Sequence, residues 1–360
     1  MLHHAKCGCL RDIGFLNDAV VCPAPDLSDF PGVWAKGKDF AKAATWRTGK
    51  RVTQPLTGKP TPTRRVEGRH LWGGVYFGHF GHFITETISR LWARDLDAYD
   101  SVVFVPRHGK LNDFTAYQKE VIDLFLKDYR IQIVREPTEF EELIVPGQGF
   151  GLGAISSGTP EFRDLVRKVM ADVEPEGPEK IYVSRTRFSG KGGIIGEKYL
   201  EANMAAQGYI PIYPEKMSIM KQLSVMKAAR KIVGLDSSAF HLLGFVATAQ
   251  QDACLILRRN HLAYRHIADH IAGFTGKEPA VVDAVVADWM PDTQKMADHV
   301  SWGELDEKAV VARLDALGFL EDAGRWTYMT DQDFAEGTTW SEARHKERLV
   351  RRPAAALAAQ

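Results

Sequence analysis

The hydrophobic pattern is most regular in the second half of the chain, between Lys180 and Arg258. Compact apolar runs, which fit buried strands, alternate there with stretches whose apolar residues recur at helical spacing. The predicted strands cover residues 180–185, 209–213, 231–234 and 253–257; the predicted helices cover 197–207, 237–246 and a segment with Met217, Met220, Leu223 and Met226 on one face. This alternation is typical of β-α-β units on a parallel sheet. We therefore expect an α/β domain whose ligands bind beyond the carboxyl ends of its strands.

A second α/β pattern precedes this one. Its predicted strands cover residues 72–77, 101–106, 131–134 and 142–145, and its predicted helices cover 82–94 and 112–128, with Asn112 as an N-cap. Six prolines before residue 65 disfavour long regular elements there. The expected organisation is an irregular segment at 1–65, α/β domains at 66–155 and 156–290 with a ligand cleft between them, and a helical segment with a basic, alanine-rich tail at 291–360.

Size and composition set further limits. At 360 residues the chain is longer than one hydrophobic core usually serves, so two domains are the default. Lys plus Arg and Asp plus Glu number 46 each, so no global field attracts the protein to nucleic acid or anionic lipid. No apolar run approaches the length of a membrane span, and the N-terminus lacks the pattern of a secretory signal. Four cysteines in a chain of this length fit a reducing cytoplasm better than a disulfide framework.

Residues 78–86 have the most unusual composition in the chain, with two histidines among glycines and phenylalanines just before a predicted helix. His82 and Glu86 are four positions apart, which places them on one helix face. A carboxylate in that position can orient the imidazole and raise its basicity, as a general base requires. An ordinary capping and packing arrangement would use the same spacing, and packing alone would account for His79.

The turn at residues 234–238 joins a predicted strand to a predicted helix. Backbone N–H groups at the helix start, helped by the hydroxyls of Ser237 and Ser238, would bind a phosphate. Asp236 would repel a phosphate placed too close, so we expect it to hold a sugar hydroxyl or an acceptor proton, unless it or Ser237 only caps the helix.

Cations follow the first strand of the same domain, at Arg185, Arg187 and Lys191. Arginine binds phosphate through two parallel hydrogen bonds, and lysine supplies a point charge. An ordinary solvated loop would have the same composition. The metal-like residues His3, His4, Cys7 and Cys9 match no common zinc spacing, and a loosely ordered segment is the expected structure there.

Three pieces of the sequence, taken in order, have a familiar arrangement. Residues 80–92 contain Gly-His-Phe, then Glu86, then Arg-Leu; residues 180–185 form a strand that ends in Ser-Arg; and Pro-Glu, Gln, Ala and Val-Gly follow one another between residues 214 and 234. Together these pieces resemble glycosyltransferase family 61, the group that includes bacterial capsular polysaccharide biosynthesis proteins. The resemblance covers about residues 70–250.

The resemblance implies an inverting transfer of a sugar from a nucleotide diphosphate sugar to a hydroxyl of a glycan or lipid-linked glycan, in capsular or other surface polysaccharide biosynthesis. It implies an α/β, GT-B-like fold in which two Rossmann-like domains face a cleft, with no cofactor and no essential metal. The 66–155 domain would then bind the acceptor and the 156–290 domain the donor. We expect no nucleic-acid partner, and a cytoplasmic protein that can associate with a membrane polysaccharide assembly complex.

Within this scheme His82 is the predicted base, held by Glu86, with Asp236 as the reserve candidate. The predicted donor-binding residues are Ser184, Arg185, Lys191, Glu215, Gln222, Gly234, Ser237 and Ser238. The pair of aspartates at 95 and 97 resembles a metal-binding motif, but it precedes a strand instead of following one. We therefore expect it to be helix-end surface.

The sequence departs from the family pattern at two points. Asp236-Ser237 replaces the usual His-Gly or Gly-Ser/Ala turn, and Lys191-Gly192 and Gly196-Glu197 stand where the family often has paired arginines followed by Asn-Glu. An alternative therefore stays open, namely a non-catalytic nucleotide-sugar or glycan-binding relative with a degenerate donor site. A dinucleotide-dependent group transfer is disfavoured because no Gly-x-Gly-x-x-Gly motif follows a strand.

Overall fold

The chain folds into two compact units, Met1–Asp172 and Val173–Gln360. The structure, a computed structural model, describes residues 12–24, 31–111, 113–188, 190 and 192–354. The zinc-like residues His3, His4, Cys7 and Cys9 lie outside these ranges. Within them, no helix is long and apolar enough to cross a bilayer.

The first unit is built on a seven-stranded mixed sheet in the order β3-β2-β1-β9-β6-β7-β8. Strands β9, β6, β7 and β8 are parallel, and β1 continues the sheet antiparallel to β9. The strands are β1 (Ile13–Cys22), β2 (Gly32–Ala35), β3 (Lys38–Asp39), β6 (Arg64–Tyr76), β7 (Ser101–Pro106), β8 (Ile131–Ile133) and β9 (Thr138–Pro146), and a separate hairpin is formed by β4 (Trp46–Arg47) and β5 (Lys50–Arg51).

The segment expected to be irregular at 1–65 thus contains a ten-residue strand, β1. The prolines do not interrupt it, because Pro23 comes directly after its last residue and the others lie further along the chain. Buried side chains such as Leu16 and Val21 join the core of the sheet. Helix α3 (Pro160–Ala171) also belongs to the first unit.

The continuous helix predicted for residues 82–94 is wrong. Instead, one α-helical turn, α1 (Phe80–His82), passes into a π-helical segment (Phe83–Thr87), and a 3-10 turn follows (Leu91–Ala93). Helix α2 (Ala116–Leu126) begins at a capping box formed by Thr115 and Gln118. Asn112, the predicted N-cap, lies outside the described residues.

The second unit contains a five-stranded parallel sheet in the order β12-β10-β13-β14-β15. Its strands are β10 (Lys180–Val183), β12 (Ile210–Ile212), β13 (Lys231–Leu235), β14 (Asp252–Ile256) and β15 (Ala280–Val282), and a smaller sheet contains β11 (Gly193–Ile194), β17 (Trp302–Leu305), β16 (Val285–Met290) and β18 (Val350–Pro353). This order is that of open, doubly wound α/β sheets, where ligands bind at the point of strand-order reversal. Here that point lies between β10 and β13.

The helices of the second unit are α4 (Glu197–Ala206), α5 (Ile219–Ala228), α6 (Phe240–Val246), α7 (Tyr264–Thr275), α8 (Glu307–Ala316) and α9 (Asp331–His345). Two of them differ from expectation. Met220, predicted to lie on the apolar face of α5, is 46% exposed. Helix α6 begins at Phe240 and not at Ser237, so the 234–238 turn leads into it without forming its first turn.

Candidate active site

His82 lies at the carboxyl end of the first sheet, where β6 ends at Tyr76 and the chain turns into α1. Its side chain is 31% exposed, whereas the side chain of Glu86 is 0% exposed. The residues between them belong to the π-helical segment. Single-turn π-helices are rare and occur frequently at functional sites.

The predicted contact between the two residues is present, and a third residue joins it. His82 Nδ1 lies 3.0 Å from Glu86 Oε2. Arg47 donates from Nε to Glu86 Oε1 at 2.8 Å and from Nη2 to Oε2 at 2.7 Å, and its Nη2 is 3.2 Å from His82 Nδ1. Burial opposes ionisation of Glu86, but the hydrogen bonds from Arg47 and His82 outweigh it and lower the carboxyl pKa.

The ionised Glu86 determines which ring nitrogen of His82 can act as a base. A carboxylate only accepts hydrogen bonds, so the 3.0 Å contact is a hydrogen bond when Nδ1 carries the proton. Arg47 is already satisfied by both carboxylate oxygens and needs no bond to Nδ1. In this tautomer the lone pair of His82 is on Nε2, the arrangement that a general base requires.

Arg47 is the member of this cluster that the sequence did not predict, and two contacts hold its hairpin in place. Gln148 accepts from Trp46 N at 2.9 Å and donates to Trp46 O at 3.1 Å. Thr48 N donates to Leu152 O at 3.0 Å. A single arginine in a turn-rich segment gives no sequence signal for this role, because the contact depends on tertiary packing.

Arg90, the arginine of the Arg-Leu pair in residues 80–92, stabilises the region around His82, Glu86 and Arg47. Arg90 is fully buried and donates to Ala44 O at 2.7 Å and to Pro146 O. Burial lowers its pKa to about 9. Arg90 therefore ties the chain just before Arg47 to the end of β9, and it positions the His82–Glu86–Arg47 cluster without contacting His82.

A second group of polar residues lies at the carboxyl ends of β10, β13 and β14 in the second unit. Arg185 follows β10, Asp236 follows β13, and Arg258 and Arg259 follow β14. Asp236 Oδ1 accepts from Arg258 N at 2.7 Å, and its Oδ2 is 4.0 Å from Arg259 Nε. The predicted reserve base Asp236 is therefore buried with partners of its own that anchor the chain after β14.

Glu197 in the first turn of α4 adds a carboxyl group beside Arg185. Its Oε1 accepts from Arg185 N at 2.7 Å. Burial raises the pKa of Glu197 to about 7, and it lowers the pKa of Arg185 to about 10. The charge of this carboxyl group thus changes near neutral pH.

Among the other predicted donor-binding residues, Ser184 and Gln222 make hydrogen bonds within the protein, whereas Glu215 is exposed to solvent. Ser184 Oγ donates to Glu201 and is 2.9 Å from Thr186 Oγ1. Gln222 is buried and donates to Pro214 O at 2.9 Å, which fixes the turn that carries the exposed Glu215.

The 234–238 turn does not form the phosphate-binding helix start that was expected, because α6 begins later. A side chain at Gly234 would collide with Val183, so this glycine allows β13 to pack closely. Ser237 is buried and Ser238 is half-buried at the end of this turn. Lys191 lies outside the described residues.

The aspartate pair at the surface is already paired with cations. Asp95 lies 2.7 Å from Lys168, and Asp97 lies 2.5 Å from Arg69. In the described part of the chain, no group of three or more His, Cys, Asp or Glu residues could hold a metal ion.

Comparison with known families gives one result. Residues 80–256 match the family model described as Glycosyltransferase 61. The match begins after Arg47 and ends before Arg258, so cations of both residue groups lie outside it. Among curated proteins, none matches the chain at a significant level.

Proposed function

We propose that this protein, whose residues 80–256 match the Glycosyltransferase 61 family model, is a glycosyltransferase that moves a sugar from a nucleotide diphosphate sugar to a glycan hydroxyl. The transfer inverts the anomeric carbon and needs no essential metal. The acceptor binds to the first unit and the donor to the second, as in a GT-B-like architecture with Rossmann-like domains. Capsular or other surface polysaccharide is the expected product.

The observation that carries this proposal is the Arg47–Glu86–His82 cluster. His82 Nε2 takes the proton of the acceptor hydroxyl, and the freed oxygen lone pair attacks the anomeric carbon. The bond from that carbon to the diphosphate oxygen breaks, and its electron pair leaves with the diphosphate. A single displacement of this kind inverts the configuration. Glu86, held ionised by Arg47, stabilises the imidazolium that forms.

Charge on the leaving diphosphate must be balanced for this step. In the second unit, Arg185, Arg258 and Arg259 supply fixed positive charge at the carboxyl ends of β10 and β14, the two strands that flank β13. Preorganised cations at the position where charge develops can act in place of a metal ion. We therefore expect a reaction that continues in the presence of a chelator.

The test is a screen of nucleotide sugars that measures release of nucleoside diphosphate, with and without EDTA. Wild type and His79→Ala should transfer sugar, and His82→Ala should lose transfer by about a hundredfold or more while it still binds nucleotide. His79 is a matched control because its ring lies 5.3 Å from that of His82. Loss of transfer with EDTA and recovery with manganese would refute the metal-free mechanism, and full activity of His82→Ala would refute the assigned base.

A further inference from the structure

We infer that Arg185, Arg258 and Arg259 together form a binding site for a diphosphate group, and we name them the arginine cluster. The inference rests on the proposed function, in which this group belongs to the donor. Arg258 and Arg259 come from the end of β14, beyond the matched family domain. The cluster lies at the carboxyl edge where the strand order reverses, the usual ligand position in such sheets.

Two shared neighbours bring the three guanidinium groups together. Arg185 Nη2 donates to Gly192 O at 3.1 Å, and a Cβ atom added at Gly192 would lie 2.9 Å from Arg258 Nη1. Arg258 Nε and Arg259 Nε lie 3.9 and 4.0 Å from the two carboxylate oxygens of Asp236. Gly192 thus connects the first pair and Asp236 the second.

Within 4.0 Å of the guanidinium groups, positive charge in the cluster exceeds negative charge. Among the described residues, Asp236 is the only carboxylate within 4.0 Å of these guanidinium groups, and Glu197, Asp288 and Asp298 act from further away. The side chains of Arg258 and Arg259 are only 6% and 10% exposed.

Hydrogen-bonding capacity is also unused. The Nε atoms of Arg185 and Arg259 are buried without a hydrogen-bond partner. Buried polar groups in folded proteins are normally paired, so an unpaired donor beside other guanidinium groups indicates a missing acceptor. A multiply charged anion with several oxygens supplies both the charge and the acceptors.

A diphosphate fits this arrangement better than a single carboxylate. Planar guanidinium groups bind phosphate oxygens through two parallel hydrogen bonds, and three of them exceed what one carboxylate can accept. Arg258 and Arg259 are consecutive residues after β14, so two of the three guanidinium groups come from the same point of the sheet.

The test is calorimetric titration of the full-length protein with inorganic pyrophosphate at two salt concentrations. Wild type should bind, more weakly at the higher salt. Arg259→Met should weaken binding by about ten- to a hundredfold, and Arg259→Lys by less. Arg259 is preferred to Arg258 because Arg258 also anchors the backbone through Asp236 O and His299 O. The control is Arg230→Met, which removes an exposed arginine just before β13, at the opposite edge of the sheet.

Absence of pyrophosphate binding by wild type would overturn the inference. Equal affinity of Arg259→Met and wild type, with Arg230→Met also unchanged, would overturn it as well. Binding that depends on Arg259, in a protein that releases nucleoside diphosphate from no donor, would leave the inference standing and would refute the proposed function instead.

Discussion

Arg47 and Glu86 lie 39 positions apart in the sequence and form a two-point ion pair, with both hydrogen bonds at 2.8 Å or less. Glu86 is fully buried, so this pair keeps a carboxylate ionised in a place where burial alone would favour the neutral acid. The matched family domain begins at residue 80 and does not include Arg47. A protein truncated to that domain would retain the proposed base without the group that keeps its partner charged.

The first prediction concerns the pH dependence of Arg47→Met. Without the two hydrogen bonds from Arg47, burial dominates and the pKa of Glu86 rises. Protonated Glu86 lacks the negative charge that stabilises the imidazolium of His82, so activity should be lost at a higher pH than in wild type. We expect kcat/KM near neutral pH to fall by about ten- to a hundredfold and the acidic limb of its pH profile to shift upward.

Arg51→Met is the matched control, because Arg51 lies in the same hairpin and pairs with Asp39. It should reduce stability without moving the acidic limb. An Arg47→Met profile that has the wild-type shape, lowered uniformly, would mean that Arg47 acts only through folding.

Stability near neutral pH should depend on Glu197. Its pKa is about 7 in the folded protein, against about 4.3 for an unfolded glutamate, so the folded state retains a proton over this range. The retained proton stabilises the folded state in full below the pKa of the unfolded glutamate. This stabilisation, roughly 3 kcal/mol, is lost as pH rises through about 7. Glu197→Gln should lack this loss. Denaturant unfolding at pH 5 and pH 8 measures the loss as a difference in the free energy of unfolding. The control Glu215→Gln, at an exposed position, should show the wild-type difference. The same difference in Glu197→Gln would contradict the assignment.

The sequence alone predicts the parallel strands, but it does not predict the form of the segments that connect them. Central parallel strands are apolar throughout, and the strand at residues 101–106 was therefore predicted with its observed bounds. The helix predicted at 82–94 has helical spacing, but tertiary contacts decide its form: Glu86 is drawn to Arg47, and Arg90 reaches carbonyl groups of Ala44 and Pro146.

The candidate sites show the same division. His82 and Glu86 could be paired from their spacing alone, because four positions correspond to about one helical turn. Arg185 and Arg258 are brought together by the order of strands β10, β13 and β14, which local periodicity does not encode. The 234–238 turn looked like a helix start because serine and aspartate favour N-caps, yet α6 begins at Phe240.

The last prediction concerns Gly192, which connects Arg185 and Arg258. Its φ angle is +81°, and an added Cβ would collide with His299 O and lie 2.9 Å from Arg258 Nη1. Gly192→Ala should therefore weaken pyrophosphate binding by about tenfold or more, in addition to a backbone cost of about 1–2 kcal/mol. Gly276→Ala is the matched control, because Gly276 has a φ of +75° with no atom within 4 Å of the added Cβ. Calorimetry and thermal unfolding of both variants separate the two effects. If the two variants lose stability equally and both bind pyrophosphate as wild type does, Gly192 has no part in arranging the arginine cluster.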